Sequence, residues 1–459
     1  MDQRTPSASP SVALEPPWPA SRVAWYMIFV TALVRLSAQL DLGILSLLVE
    51  PIKRDLALSD SQMGLLLGFA FALVYAVLGV PLSTFVDTRS RRAILAIGVV
   101  CWSVATALTG LAQTFWQLFL CRVGVGAAES VNGPATYSLI ADYFPREKLP
   151  RAIAAMILGT IAGTGLSLIL GSVVIAALTH LPRVVIPWIG EIRQWQMVFV
   201  IMGLPGLVFA LLMLTVPEPP RRKAGTTQAS GIPDARLFQY LAAHWRVFLP
   251  MFLGLILSAI ESGGTAAWRP AFFQRTYGWL PHQAGLATGL AALIGSPIGL
   301  WLGAWLAERL MRKDDAANVR VVQISWIAAT PFIVAGPLMP TPMLATACAL
   351  LSAMFSMMGA PTQNAALQSV APGDLRARIT ALYLLTYTVA GQGIGPSFIA
   401  ATTDFVLRDE HALRLALAGT AAVVMPLAVL AISWGVKPYG REVSRLKVLE
   451  GVEHGTARR

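Results

Sequence analysis

A small set of ionisable side chains lies inside long apolar stretches of this sequence. It comprises Arg35, Asp41, Arg122, Glu129, Glu261 and Arg269. A charge at the centre of a lipid bilayer costs at least about 2.5–3.5 kcal/mol on insertion scales, so such side chains usually face a cavity or a charged partner. Guanidinium groups there can hold an anion, and carboxylates can bind and release protons. Because none of the five histidines lies in the middle of an apolar stretch, carboxylates are the predicted proton carriers.

Arg122 and Glu129 are seven residues apart on one predicted helix. Seven helical steps return to nearly the same face, displaced by roughly 10 Å along the axis, so the two side chains line one stripe without pairing directly. The functional interpretation makes Arg122 an anchor for an anionic group and Glu129 a proton site. The alternative is that both side chains only stabilise contacts with neighbouring helices.

Asp41 lies late in the first apolar stretch. Desolvation favours the protonated form of a buried carboxyl group, whereas a nearby cation favours the ionised form. If Asp41 lies close to Arg122, a proton and an anionic substrate compete for the same charge, which is a physical route to coupling. A static ion pair between Asp41 and Arg122 is the alternative.

The remaining ionisable groups have several interpretations. Glu261 precedes Ser-Gly-Gly, where small residues can open the helix to a cavity, and functional and structural roles are equally open. Arg35 faces the cavity, serves helix packing or snorkels to the membrane surface. For Arg269, next to Pro270, a structural or interfacial role is favoured. Five neutral polar side chains are candidate cavity contacts: Tyr75, Asn132, Gln363, Asn364 and Gln392.

The elements that position these groups are apolar stretches of membrane-spanning length. The 459 residues are 56% hydrophobic and 13% charged, whereas soluble proteins carry about 25% charged residues. Stretches of roughly 20 apolar residues cross the hydrocarbon layer. The sequence therefore predicts an all-α polytopic membrane protein with twelve transmembrane helices in two six-helix halves. The predicted spans are 23–49, 61–85, 93–113, 116–140, 152–178, 197–216, 247–273, 284–307, 321–338, 343–370, 379–401 and 413–436.

A polar stretch after the sixth span divides the chain. It contains Pro, Gly, Ser and charged residues and cannot cross a membrane. The predicted organisation is a disordered tail, an N-terminal bundle, a cytoplasmic linker with a short surface helix near 236–244, a C-terminal bundle and a cytoplasmic tail. Their bounds are 1–22, 23–216, 217–245, 246–436 and 437–459.

Basic residues predict the orientation of the chain. With the N-terminus inside, most arginines and lysines fall in the inner loops and the tail, as the positive-inside rule requires. Both termini are therefore predicted to be cytoplasmic, in a bacterial inner or plasma membrane. The net charge of +11 reflects this topology and does not indicate a nucleic-acid partner. We expect a monomer surrounded by membrane lipids.

An acidic residue followed by a basic cluster occurs at matching loops of the two halves. The first copy contains Asp87, Arg91 and Arg92, and the second contains Glu308 and Arg309. Such internal similarity is typical of transporters built from repeats. We predict an inner gate at these loops, and Asp87 is expected to cap a helix or to pair with Arg378 when the inner side closes.

The string Ser59-Asp-Ser-Gln62 predicts a capping box that opens the second span. Asp60 is interpreted first as part of this cap and second as a contributor to a gate.

Several strings give the chain a family resemblance. The loop Asp87…Arg91-Arg92 and the span segment Arg122-Val-Gly-Val-Gly126 resemble motifs of the major facilitator superfamily. Further strings resemble its spinster-like branch: Glu50-Pro-Ile-Lys53, Arg122–Glu129, Asp142-Tyr-Phe-Pro145, Gly203-Leu-Pro-Gly206 and Arg376-Ala-Arg378. The similarity covers nearly the whole chain apart from the tails. It implies a secondary transporter whose eukaryotic relatives export sphingosine phosphate or lysophospholipids.

One position departs from the branch, which usually has Asp-Arg in the first span. This chain has Asp41-Leu42. Leu42 therefore replaces the basic residue that the resemblance would place beside the substrate or the carboxylate. The chain is either a divergent member of the branch or an altered sequence. In both cases we expect the coupling of transport to be affected.

Three functional hypotheses follow from these observations. The first is a proton-coupled, alternating-access transporter for an amphipathic, lipid-like solute (of lysolipid or sphingolipid type) or an anionic small solute. The second is an organic-anion or sugar-acid symporter, since Arg122 would suit a carboxylate. The third is a membrane receptor or scaffold that binds a ligand without transport. No catalytic, metal-ligand or phosphate-binding motif is present in the sequence, so neither an enzyme nor a cofactor is predicted.

Overall fold

The computed structural model describes residues 18–456 apart from 146, 180–183, 187–189, 222–234 and 374. Inside helices and strands, the side chains of some further residues are not described: 80, 83, 84, 87, 150, 184–186, 190, 235, 377 and 449–456. The described part of the chain is predominantly helical.

The first half contains helices and one short antiparallel hairpin. Its elements are α1 (Ser21–Leu47), α2 (Val49–Leu56), α3 (Asp60–Gly64), α4 (Ala70–Thr88), α5 (Arg91–Thr109), α6 (Phe115–Glu129), α7 (Asn132–Tyr143), α8 (Leu149–Leu178), β1 (Val184–Ile186), β2 (Gly190–Ile192) and α9 (Gln194–Thr215). A π-helical turn, Leu65–Phe69, joins α3 to α4 in one continuous span.

The second half begins with a short helix, which follows the polar stretch of the linker in sequence. Its elements are α10 (Ala235–Ala243), α11 (Trp245–Tyr277), α12 (Pro281–Met311), α13 (Ala317–Ala335), α14 (Pro342–Met358), α15 (Ala360–Ser369), α16 (Arg376–Thr388), α17 (Gly395–Ala401) and α18 (Leu413–Thr456). The predicted surface helix near 236–244 corresponds to α10.

The predicted twelve spans in two halves are confirmed. Among the described residues, ten helices are long and apolar enough to cross a bilayer by themselves. The fourth span is interrupted between α6 and α7, where polar residues lie in its middle. The eleventh contains two π-helical stretches, Val389–Ile394 and Thr402–Leu407. The regular helices of these two spans are therefore short: α6 has 15 residues and α16 has 13.

The bundle has two ends, which we name by the chain termini. The near face is the end where α1 begins and α18 finishes. The far face is the opposite end, which carries the loop between α1 and α3, the β1–β2 hairpin and the turn before α12. These names are independent of the membrane orientation.

The two halves are packed most tightly at the far face. One cluster of buried apolar side chains combines both halves there, with Leu48 and Ile52 from the first half and Phe272 and Phe273 from the second. The other clusters of buried residues each belong to a single half. The shared cluster therefore closes the far face of the bundle.

Two helices of opposite halves also touch through their backbones. A Cβ atom added to Gly165 of α8 would lie 2.8 Å from the carbonyl oxygen of Gly289 in α12, and the reverse distance is also 2.8 Å. Only glycine permits so close an approach.

The last helix continues past residue 436, where the predicted membrane span ends. α18 continues through Pro438 and Gly440 to Thr456, although these residues normally end helices. Tyr439 is fully buried in the core of the second half, and Lys447 pairs with Asp315 at 2.5 Å. Tertiary packing thus overrides the local helix-breaking signal. The predicted disorder of residues 1–17 lies outside the described residues.

Glu218, just after α9, braces the near face of the first half. It accepts hydrogen bonds from Ser90 Oγ at 2.8 Å, from Arg91 Nε at 2.8 Å and from the Arg92 backbone N–H at 2.9 Å. Burial disfavours the ionised form of Glu218, but the donors at Arg92, Arg91 and Ser90 outweigh it and lower the pKa of this carboxyl group. Arg91 also pairs with Asp142, which ties three segments together.

Replacing Glu218 with glutamine is expected to lower stability at pH 7 by about 1–3 kcal/mol, the usual contribution of charge-assisted hydrogen bonds. Because the pKa of Glu218 is lowered by folding, its contribution is present above the ordinary carboxyl pKa and disappears as pH falls through the lowered value. The melting temperatures of the wild type and Glu218→Gln should therefore converge at acidic pH. Glu147→Gln, an exposed carboxylate of the same face, is the control. A gap that stays constant from pH 4 to pH 8 would contradict this role.

Candidate functional site

Asp41 and Arg122 form an ion pair in the interior of the first half. Their side chains are 2% and 1% exposed, and Arg122 Nη1 donates to Asp41 Oδ2. The hydroxyl of Thr106, on α5, donates to Asp41 Oδ1 at 2.8 Å. α1, α5 and α6 therefore meet at this pair. The proximity of Asp41 and Arg122 that the sequence suggested is present in the structure.

Arg122 keeps unused donors although it is buried. Among the described residues, no acceptor takes its Nε–H or the hydrogens of Nη2. The guanidinium carbon lies 5.7 Å from the centre of the Phe71 ring, and Tyr75 stacks on Phe71 with centroids 5.5 Å apart. Aromatic faces attract cations but do not satisfy N–H donors. The charge of the Arg122 guanidinium is therefore neutralised by Asp41, but some of its N–H groups can still donate hydrogen bonds.

Glu129 lies further along α6 and is 5% exposed. Its Oε1 atom has no hydrogen-bond partner among the described residues. Arg122 and Arg35 are the cations that act on it electrostatically, and Asp41 opposes them. A buried carboxylate without a partner is costly unless it is protonated or transiently paired. As the spacing predicted, Glu129 forms no ion pair with Arg122.

Glu261 occupies a comparable buried position in the second half. It is 3% exposed and accepts a hydrogen bond from Thr265 Oγ1 at 2.7 Å. Arg269 lies two turns along α11 and acts on Glu261 electrostatically, as does the phenol of Tyr387. Among the described residues, Glu261 has no ion pair within 4.0 Å.

The five neutral polar candidates do not share one environment. Asn132 is 1% exposed, and its Oδ1 accepts from Thr136 Oγ1 at 3.2 Å. Gln363 is buried and accepts from the hydroxyl of Tyr383 at 3.1 Å. The other three are more accessible: Tyr75 and Asn364 are half-buried, and Gln392 is exposed. Leu42, the position that departs from the branch, is also half-buried.

A cluster of charges joins the two halves at the far face, and we call it the far-face cluster. Its members are Glu50, Lys53 and Asp60 from the first half and Arg275 and Glu410 from the second. Arg275 binds both carboxylate oxygens of Asp60 at 2.7 Å and Glu50 at 2.6 Å. Lys53 binds Asp60 at 2.7 Å and Glu410 at 2.6 Å. Asp60 is completely buried, so the cluster is a strong interhalf contact.

The interpretation of Asp60 as a helix cap is wrong. Ser59 is the cap: its hydroxyl accepts from the Gln62 N–H at 3.2 Å, while the Gln62 side chain accepts from the Ser59 N–H at 2.9 Å. The predicted capping box is therefore confirmed, but Asp60 points to Arg275 and Lys53. Sequence reasoning missed these partners because Arg275 is more than 200 residues distant and no local pattern marks it.

The other far-face contacts between the halves support the same closure. Gln274 Nε2 donates to the Leu47 carbonyl at 3.0 Å, and the Ser61 N–H donates to Asp404 at 2.7 Å. Both of these contacts lie toward the far face.

The described contacts of Arg91 and Arg309, two predicted gate residues of the near face, lie within their own halves. Arg91 is 1% exposed and binds Asp142 and Glu218, which belong to its own half. Arg309 stacks on Trp305 at 4.1 Å beside the exposed Glu308. The remaining predicted members are also near-face residues: Arg92 donates to carbonyls at the end of α9, and Arg378 lies in the first turn of α16. The side chain of Asp87 lies outside the described residues, so its predicted pairing stays a prediction.

Comparison with known proteins gives consistent results. A family model described as Major Facilitator Superfamily matches residues 31–396. An MFS-type efflux pump of Mycolicibacterium smegmatis is 29% identical over 409 residues, which cover 86% of this chain and 88% of the relative. A D-galactonate transporter of Escherichia coli is 27% identical over 203 residues, 44% of this chain and 43% of that protein.

A solved structure resembles the whole chain. It is the crystal structure of a bacterial homologue of the human lysosomal transporter Spinster, in an inward-facing and unoccupied conformation. The TM-score is 0.76 with 25% sequence identity, and the match covers 93% of this chain and 98% of the other.

Proposed function

Because this chain belongs to the Major Facilitator Superfamily and to its spinster-like branch, a family of membrane transporters, we propose that it carries an anionic or amphipathic, lipid-like solute by proton-coupled alternating access. The observation that carries the proposal is the buried group of Asp41, Arg122 and Glu129. It combines a neutralised guanidinium that retains free donors with the Glu129 carboxylate, whose Oε1 atom has no hydrogen-bond partner among the described residues. In such a group, binding or release of a proton by one carboxylate changes which charges form ion pairs.

The far face is the outer side of the membrane in this proposal. Basic residues are concentrated in the near-face loops and in the end of α18, which supports a cytoplasmic near face. The far-face cluster and the shared apolar cluster then close the outer side, which supports a state that is closed to the outside. Separation of the halves at the far face would give Asp41, Arg122 and Glu129 access to water from the outer side.

A sugar-acid symporter is the second candidate, and one observation favours it. The chain is similar to a D-galactonate transporter, although the match covers under half of that protein. Uptake of D-galactonate compared with a lysophospholipid, in proteoliposomes, separates the two substrate classes. Ligand binding without counterflow would instead support a receptor.

Glu129→Gln is expected to uncouple transport from protons. A difference of one pH unit is worth about 1.4 kcal/mol per proton and supports about tenfold accumulation of a solute that enters with one proton. Glutamine resembles the protonated carboxyl group, so counterflow at equal pH should continue while accumulation driven by the gradient disappears. The measurement is uptake with the membrane potential clamped. Accumulation that is equal in the wild type with and without a pH gradient would reject proton coupling.

A further inference from the structure

Arg35 lies at the middle of a spanning helix, where a guanidinium requires a partner or water. It is fourteen residues from the start of α1 at Ser21 and twelve from its end at Leu47. These intervals correspond to roughly 21 Å and 18 Å along the axis. A single side chain cannot cover either distance, so Arg35 cannot reach a membrane surface by snorkelling.

Arg35 differs from the other cation of the first half at this depth. Arg122 is 1% exposed and is neutralised by Asp41. Arg35 is partly exposed. Among the described residues, no carboxylate lies within 4.0 Å of its guanidinium, and no acceptor forms a hydrogen bond with it. Its charge nevertheless acts on Tyr75 and Glu129, which places it inside the bundle. An accessible and unpaired cation at membrane depth indicates a water-filled space beside it.

We propose that Arg35, rather than Arg122, binds the anionic group of the transported solute. This inference rests on the proposed transport function and names the residue that selects a negatively charged substrate. Leu42 lies on the same face of α1, seven residues or roughly 10 Å farther toward the far face. The site therefore suits a ligand with an anionic group toward the near face and an apolar or uncharged part beside Leu42.

The charges around Glu129 give this site a link to protons. Arg35 and Asp41 act on Glu129 from α1, Arg122 acts from its own helix, and Tyr75 lies beside it on α4. Because Asp41 already holds Arg122, an ionised Glu129 competes with the ligand for Arg35. Protonation of Glu129 removes this competitor, so proton binding and anion binding favour each other.

The test measures the local potential and requires no substrate. Gln39, one turn from Arg35 and half-buried, is replaced by cysteine after Cys101, Cys121 and Cys348 are changed to alanine. The cysteine is treated with an anionic and with a cationic methanethiosulfonate reagent of similar size. We expect Arg35→Gln to lower the anionic-to-cationic rate ratio by about tenfold, while Arg35→Lys preserves it. Arg151→Gln, an exposed near-face arginine, is the matched control and should leave the ratio unchanged.

The pH dependence supplies the second readout. In the wild-type background, the rate ratio should rise as pH falls and Glu129 takes up a proton, and Glu129→Gln should keep the ratio high at every pH. A ratio that does not respond to Arg35→Gln would overturn the assignment, as would a cysteine at 39 that neither reagent reaches. Failure of solute uptake, in contrast, would reject the transport proposal without changing this ratio.

Discussion

Replacing Arg122 with glutamine is expected to destabilise the protein by about 3–5 kcal/mol and to abolish solute uptake driven by a pH gradient. The reason is that Asp41, 2% exposed, would lose its cation and, among the described residues, keep the hydroxyl of Thr106 as its donor. An uncompensated charge in the bundle interior lowers stability, because apolar neighbours do not solvate the charge as water does. Thermal unfolding in detergent and uptake in proteoliposomes measure the two effects separately.

The double variant Asp41→Asn with Arg122→Gln separates the two interpretations of the pair. Both charges are absent, so most of the lost stability should return. Transport should stay abolished, because the exchange between a proton and an ion pair is no longer possible. If the double variant transports like the wild type, the pair is a static structural contact and the coupling role of Asp41 and Arg122 is rejected.

Asp60→Asn is expected to open the far face. Asparagine keeps the shape of Asp60 but loses the charge that binds Arg275 of the second half and Lys53 of its own half. Removal of one partner from a buried charge cluster costs about 3 kcal/mol or more, which shifts a two-state equilibrium by about 100-fold. The variant should therefore populate the outward-open state at the expense of the closed far face.

Cysteine labelling from the far side measures this opening. Ala400 is fully buried and packs against Gly64 of the other half, so Ala400→Cys in a background without the native cysteines reports on the closure. Labelling should be slow in the wild type and fast with Asp60→Asn. Asp55→Asn is the matched control, because Asp55 binds Arg193 and Trp195 of its own half on the same face. Equal labelling rates in both variants would contradict the locking role.

Hydropathy predicted the architecture well because the bilayer sets one physical requirement for every span. Backbone hydrogen bonds must be satisfied inside each helix, and roughly 20 apolar residues are needed to cross. The Asp41–Arg122 pair could also be predicted from the sequence, because opposite charges at membrane depth are usually stabilised by pairing with each other. The family model over residues 31–396 confirms the predicted superfamily.

The parts that could not be predicted depend on contacts between distant segments. The partners of Asp60 are Arg275 and Lys53, and no local spacing indicates that α11 and α3 meet. The continuation of α18 past Gly440 depends on the burial of Tyr439 in the second half. The difference between Arg35 and Arg122, both arginines within apolar spans, depends on which of them lies beside a carboxylate.

Distances between spin labels on the two halves test the central claim of alternating access most directly. Labels at Arg54 and His411 report on the far face, and labels at Arg151 and Arg312 report on the near face, since all four positions are exposed. Alternating access predicts two populations, in which a longer far-face distance accompanies a shorter near-face distance. Their ratio should depend on pH and move toward far-face opening with Asp60→Asn. A single distance at each face, unchanged by pH and by this variant, would contradict it.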